Sequence, residues 1–175
     1  MRDLSVEAGV SFATPFNQFG SKAAIMHGIS ERRIDTMAKR FAAASPLPNA
    51  ADRVLMATDI ATEVMLEEPM VNRAVMGWLG TAAPSPGGVW AHSTAFWALA
   101  LGAGEGLAAR WREQALRCLP GQLAFAFRGV LSFWTAGELP DSALALNARE
   151  MAIALLLGFS ERRPPGAAPS SSPVV

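Results

Sequence analysis

Apolar residues recur along most of this chain at the three- and four-residue spacing of amphipathic helices. Between Ser21, a predicted N-cap, and about Ala44 this spacing gives one apolar stripe, formed by Ile25, Ile29, Ile34, Met37 and Phe41. The same periodicity predicts helices over residues 50–68, 69–80, 89–101, 107–116, 120–137 and 141–159. No segment has the strict alternation of a β-strand, so the chain is predicted to be all-α, with about nine helices.

Glycine and proline separate these predicted helices. Breaks are expected at SPLPN, TAAPSPGG, GAGEG and ELPD, and the second of these is predicted to be the most mobile internal loop. Residues 162–175 are rich in proline and serine and are predicted to be disordered. The expected organisation is an N-terminal module with its connecting helix over residues 1–44, a helical domain over residues 45–161, and this tail.

Polar side chains are concentrated near the N-terminus, in the stretch AGVSFATPFNQFGSK at residues 8–22. Two short helices are predicted there, over residues 1–8 and 12–19, with a turn at Gly9 and with Ser11 as the N-cap of the second helix. A tight turn that holds a second helix at a steep angle is typical of a helix-turn-helix, in which the second helix enters the major groove of DNA.

The order DLSVEAGVSFATPFNQFGSKAAIMHGI resembles the N-terminal DNA-binding domain of the TetR family of bacterial transcriptional regulators. The resemblance rests on the Ala-Gly-Val turn and on Ser11, Phe16, Phe19 and the pair Ser21 and Lys22. A second stretch, FRGVLSFWTAGELPDSALAL, is similar to the last two helices of that family. The resemblance implies a helix-turn-helix remnant followed by a helical ligand-binding and dimerisation domain.

Carried over onto this sequence, the family pattern places six residues at the DNA: Ser11, Thr14, Phe16, Asn17, Gln18 and Lys22. Ser11 and the first amides of the recognition helix would meet a phosphate, and Thr14 would meet a phosphate or a base edge. Gln18, with Asn17 beside it, would pair with adenine through donor and acceptor groups. Lys22 would bind a backbone phosphate and fix the register.

The chain departs from the family pattern in three ways. Phe16 stands where a tyrosine is usual, Pro15 stands where a leucine is usual, and the helix that precedes these two in the family is missing. The missing helix would cover the apolar backs of the other two, so the motif is expected to be loose. Either Met1 is not the true start, or tight DNA binding has been lost.

The resemblance also implies a ligand cavity among the middle helices. Its candidate lining residues are Met65, Met76, Trp78, Trp90, Thr94, Trp97 and Phe127. Aromatic and methionine walls suit a small apolar or aromatic ligand, and the alternative is that these side chains only form the core. His92 is either a polar contact for the ligand or an ordinary exposed or core histidine. His27 is expected to be structural or to lie near a DNA phosphate.

The last two predicted helices are apolar on two sides, and the last of them carries a second apolar face formed by Leu146, Ile153 and Leu157. In the TetR family these two helices meet their symmetry mates in a four-helix dimer interface. The corresponding residues here are Leu131, Trp134, Leu144, Ala148, Met151 and Leu155. A two-fold dimer also matches the two half-sites of a palindromic operator. The alternative is that both faces are buried within one subunit.

Composition and charge exclude several classes of function. Fifteen basic and fifteen acidic residues cancel, so any binding of DNA must come from a local patch. Cys118 is the only cysteine, which excludes an internal disulfide, and the N-terminus has no apolar signal core, so a cytoplasmic location is expected. No apolar run is long enough to span a membrane. No nucleophile motif, phosphate loop or metal-ligand spacing is present, so neither catalysis, a cofactor nor a bound metal is expected.

These observations predict a homodimeric, TetR-like, ligand-responsive repressor that binds a palindromic operator. The alternative is a helical dimer that binds a ligand or a partner and has lost specific DNA binding. A further alternative is a complete regulator whose first helix is encoded upstream of Met1.

Overall fold

The computed structural model describes residues 20–79 and 87–160, together with Glu7, Gly9, Ser11 and Thr14. Every regular element within these residues is helical, so the predicted all-α class is confirmed. Six helices follow one another in the order α1 (Lys22–Ala43), α2 (Ala50–Glu67), α3 (Pro69–Trp78), α4 (Gly88–Leu101), α5 (Arg112–Thr135) and α6 (Asp141–Leu157). The predicted helices over residues 1–8 and 12–19, most of the TAAPSPGG loop, and the tail lie outside the described residues.

Local signals in the sequence account for most helix ends. The Ser21 hydroxyl accepts a hydrogen bond from the Ala24 amide at 3.1 Å, which is the predicted N-cap of α1. Pro69 is the first residue of α3, where its missing N–H costs no hydrogen bond. Gly102 ends α4 with a φ of 57°, a left-handed conformation that glycine adopts without strain.

The prediction of two separate helices on either side of Pro120 is wrong. A short 3-10 turn, Ala109–Trp111, leads directly into α5, which continues through Pro120 to Thr135. A proline inside a helix costs about 3 kcal/mol because one hydrogen bond is lost. Leu119 and Leu123 are both buried here, and burial stabilises by about 1.5–3 kcal/mol for each such side chain. The packing of one continuous apolar face therefore outweighs the break.

The central helix is α2, which packs against α1, α3, α4 and α6, while α5 packs against α3, α4 and α6. Val54, Ala57, Ala61 and Val64 form a fully buried face of α2 with helical spacing, and their small size lets neighbouring helices approach closely. The predicted connecting helix, α1, adds Met37 and Phe41 to the same core. None of the described helices is both long enough and apolar enough to cross a membrane.

Arg53 on α2 joins the α1–α2 connection to the end of α4. Its guanidinium donates hydrogen bonds to the backbone carbonyls of Leu47, Pro48, Ala100 and Leu101. It also pairs with Glu105, whose pKa is lowered first by a hydrogen bond from its own backbone amide and then by Arg53. The planar fork of five N–H donors matches this set of acceptors, which a lysine ammonium could not.

We expect Arg53→Met to lower the free energy of unfolding by about 2–3 kcal/mol, because several carbonyls at two helix ends lose a charged donor. Urea denaturation followed by far-UV circular dichroism measures this change. The control is Arg117→Met, which removes an exposed pair with Glu113 on α5 and should change stability by less than about 0.5 kcal/mol. Equal effects for the two variants would contradict a bracing role for Arg53.

Candidate ligand cavity and N-terminal segment

A cavity of about 270 Å³ lies among the first five helices. Its lining comes from α1, α2, α3, α4 and α5, and includes both apolar and polar side chains. The volume is close to the lower end of the range of about 300–1,000 Å³ that is typical of small-molecule sites. A pre-formed space of this size fits a small ring compound.

Most of the predicted lining residues are at this cavity. Met65, Met76, Trp90, Trp97 and Phe127 all line it. The other two predicted residues, Trp78 and Thr94, do not. Trp78 ends α3 and has the Lys22 ammonium 4.5 Å from the centre of its ring, while Thr94 is turned away from the cavity on α4.

Aromatic rings form two groups in the cavity wall. Trp97 is 1% exposed, and its ring centre lies 5.0 Å from that of Phe96 and 5.6 Å from that of Phe127. Trp90 and Phe125, 4.3 Å apart between ring centres, are both exposed and both line the cavity, so they form its rim between α4 and α5. An aromatic ligand would meet rings at the depth of the cavity and again at its rim.

Two residues of α1 that line the cavity each have a buried polar atom with no hydrogen-bond partner among the described residues. Ser30 is 6% exposed, and its hydroxyl makes no hydrogen bond within the described part of the chain. The same holds for Nε2 of His27, one turn earlier on the same face of the helix. Buried polar groups are satisfied by protein, water or ligand, so this wall of the cavity is suited to a polar atom. His27 is therefore a cavity residue, and its expected place near a DNA phosphate stays a prediction.

Two arginines also line the cavity, and they differ in their partners. Arg33 on α1 is paired with Glu68. Arg128 on α5 points two of its nitrogens at Met76, with Nη2 3.3 Å from the carbonyl oxygen and Nη1 3.5 Å from the sulfur. No carboxylate of the described residues pairs with Arg128, and burial lowers its pKa below the usual value for arginine. The remaining donors of this guanidinium are available to a ligand.

Arg128, Ser30 and Asn72 were not among the residues predicted for this site. Asn72 donates to the carbonyls of Val64 and Met65, so its amide holds the end of α2 and is not free for a ligand. Arg128 had a usable signal, because it is the only charged residue in the long stretch between Arg117 and Glu138. A charged side chain is rarely buried unless it is paired, so a lone arginine in such a stretch indicates either an ion pair within the protein or a bound ligand.

The described part of the N-terminal segment shows a turn at the predicted recognition helix. The Thr14 amide donates to the Ser11 carbonyl at 3.0 Å, and the two hydroxyls lie 2.8 Å apart. Lys22 begins α1 as an exposed residue beside Trp78. Phe16, Asn17 and Gln18, the other residues predicted to contact DNA, lie outside the described residues.

The residues predicted for a dimer interface belong mostly to the core of the subunit. Leu131, Trp134, Leu144 and Ala148 are buried against neighbouring helices, and Met151 and Leu155 are partly buried against the same core. The four buried residues are enclosed by their own subunit and cannot contact a second one, which corrects their assignment to an interface; for Met151 and Leu155 the assignment stays a prediction. The outward faces of α5 and α6 carry other exposed apolar residues, namely Phe125, Phe133, Leu146, Ile153 and Leu157.

Comparisons with known proteins add no assignment. No family model matches the sequence, and neither the curated proteins nor the solved structures contain a similar protein. Among the described residues, no group of histidine, cysteine, aspartate and glutamate side chains is placed to hold a metal ion.

Proposed function

We propose that this protein is a TetR-like, ligand-responsive DNA-binding regulator that acts as a homodimeric repressor. The observation that carries the proposal is the double role of α1. This helix is capped by Ser21 and starts at Lys22, at the end of the polar stretch predicted to contact DNA, and five residues later, at His27, it begins to line the cavity. One rigid helix thus links the two sites.

The proposed mechanism follows from this link. His27, Ser30 and Arg33 occupy three successive positions on one face of α1, and all three line the cavity. A ligand that contacts this face would shift α1. Because α1 carries Lys22 and follows the predicted recognition stretch directly, such a shift would change how that stretch meets DNA. The ligand releases DNA only if it binds the DNA-incompetent arrangement more tightly than the competent one.

Dimerisation, in this proposal, uses the outward faces of α5 and α6. Phe125 and Phe133 lie on the side of α5 that faces away from its buried side chains, and Leu146, Ile153 and Leu157 lie likewise on α6. Because α5 and α6 pack against each other, their outward faces are neighbours on the surface. Exposed apolar residues in such numbers are typical of a surface that a partner covers.

DNA binding is tested by fluorescence anisotropy of the purified protein on DNA from just upstream of its own gene, with random DNA as competitor. We expect binding that survives the competitor, and we expect Gln18→Ala and Lys22→Ala each to weaken it by about tenfold. Lys22→Ala should also reduce the dependence of affinity on salt, because one phosphate contact is lost.

The control variant is Lys39→Ala, which removes an exposed lysine from the same helix far from its N-terminus and should leave DNA affinity unchanged. Binding that collapses with the competitor would instead favour a helical dimer that binds a ligand or a partner and does not recognise an operator. Equal losses for Lys22→Ala and Lys39→Ala would indicate general charge attraction only.

A further inference from the structure

We infer that the cavity binds a small aromatic acid, whose carboxylate pairs with Arg128 and whose ring lies among Trp90, Trp97 and Phe127. The inference rests on the proposed role of the cavity as a ligand site and adds the chemical class of the ligand. Three observations support the inference: the hydrogen-bond partners of Arg128, the aromatic rings that line the cavity, and the polar residues in the wall formed by α1.

The first argument is charge. Of the two arginines in the lining, Arg33 is neutralised by Glu68, whereas Arg128 donates hydrogen bonds only to Met76 among the described residues. The Met76 carbonyl lies in the last turn of α3, where an arginine is favourable, but a weak bond to this carbonyl and a contact with sulfur leave most of the Arg128 donors unused among the described residues. A half-buried guanidinium without a carboxylate is matched by a planar anion, and a carboxylate is the anion whose geometry fits its fork.

The second argument is the shape and lining of the space. Apart from Ser93 and Arg128, the lining side chains of α4 and α5 are aromatic or aliphatic, and the volume of about 270 Å³ leaves room for a compact ring system. A purely apolar ligand would leave the Arg128 charge partly desolvated without compensation, which is unfavourable. An acid with an aromatic body satisfies both parts of the lining.

The third argument is that the cavity is built to hold more than a hydrocarbon. Ser30 and His27 both line the α1 wall, and the Ser30 hydroxyl and His27 Nε2 have no hydrogen-bond partner among the described residues. Both α1 and α5 pack on α3 and α4, so these polar atoms and Arg128 lie on different walls of one space. A void left by imperfect packing would be lined by apolar groups and would stay dry.

Isothermal titration calorimetry with matched pairs of acids and amides tests the inference. The probes are benzoate and 2-naphthoate, each compared with its neutral amide, which has nearly the same shape. We expect the wild-type protein to bind at least one acid about tenfold or more tightly than its amide, since a charge-assisted pair is lost in the amide. Arg128→Gln should remove this preference and leave the affinity for the amide unchanged.

The matched control is Arg117→Gln, which removes an arginine from the exposed side of the same helix and should preserve the preference for the acid. If Arg128→Gln is poorly folded, Arg128→Lys keeps the charge without the fork and should retain part of the preference, with the affinity for the amide as the check that the cavity is intact. A preference that persists at full size in Arg128→Gln would overturn the role of Arg128.

The outcomes separate this inference from the proposed function. Acids and amides that bind equally would overturn the preference for an acid and leave the cavity as a ligand site. Failure of all four probes to bind would overturn the inference, while DNA binding that resists competitor would still support a regulator.

Discussion

Replacing Trp134 with alanine is expected to lower the free energy of unfolding by about 3–5 kcal/mol. Trp134 is fully buried, and its indole N–H donates to Oδ1 of Asp141 at 2.7 Å. Arg73 donates to the same oxygen and stacks over the indole, 4.8 Å from the ring centre. The substitution removes a large apolar side chain and also separates α3, α5 and the start of α6, which meet at this cluster.

Chemical denaturation gives the change directly, with Trp134→Phe and Trp111→Ala as companions. Trp134→Phe keeps most of the apolar volume and loses the hydrogen bond to Asp141, so a smaller loss of about 1–2 kcal/mol is expected. Trp111 is exposed and stacks only with Arg110 among the described contacts, so Trp111→Ala should cost less than about 1 kcal/mol. A loss for Trp134→Ala as small as that for Trp111→Ala would place Trp134 on a surface, as the sequence had suggested.

Local chemistry made the helices predictable. Ser21, Pro69 and Gly102 each mark a helix end through their own backbone or side chain, and the structure has a helix end at each of them. Pro120 is the exception, because its effect depends on tertiary packing. The sequence shows a helix-breaking residue at this position. It does not show that Leu119 and Leu123, on either side of the proline, are both buried.

The sequence predicted which types of side chain line the cavity, but it identified only some of the individual residues. Trp90 and Trp97 are seven residues apart and therefore share one face of α4. Both line the cavity because this face is turned towards it. Trp78 has the same residue type, yet the rotation of α3 brings Met76 to the cavity in its place. Helix rotation is fixed by contacts with neighbouring helices, which a single sequence does not specify.

The two apolar faces of α6 show the same limit. Leu144, Ala148 and Ala152 are on the inner face of α6, which packs against α2, and they belong to the same core as Ala57 and Ala61 of α2. Periodicity identified two apolar faces but could not tell the inner from the outer one. The alternation of leucine with alanine was the signal available, because small residues let two helices approach closely.

The outward face of α6 leads to the second large expected effect. If the protein dimerises through this face, as proposed, Ile153→Glu is expected to convert the dimer into monomers and to raise the dissociation constant by about 100-fold or more. Ile153 is 41% exposed and lies between Leu146 and Leu157, at 60% and 67%, on one stripe of the helix. A carboxylate introduced into a covered apolar surface loses its hydration without gaining a partner. Two-fold symmetry applies the penalty on both subunits.

Sedimentation velocity over a range of protein concentrations measures the oligomeric state, and circular dichroism checks the fold. The inner face of α6 is untouched by Ile153→Glu, so the monomer should keep its helical content. Met70→Glu is the control, because it introduces the same charge at an exposed apolar residue of a different helix, at the start of α3. If Ile153→Glu sediments as the wild-type protein does, the outward face of α6 is not a dimer interface. Loss of the dimer in Ile153→Glu alone would place the symmetry axis beside α6, with Trp134 and Leu144 left inside each subunit to hold the fold.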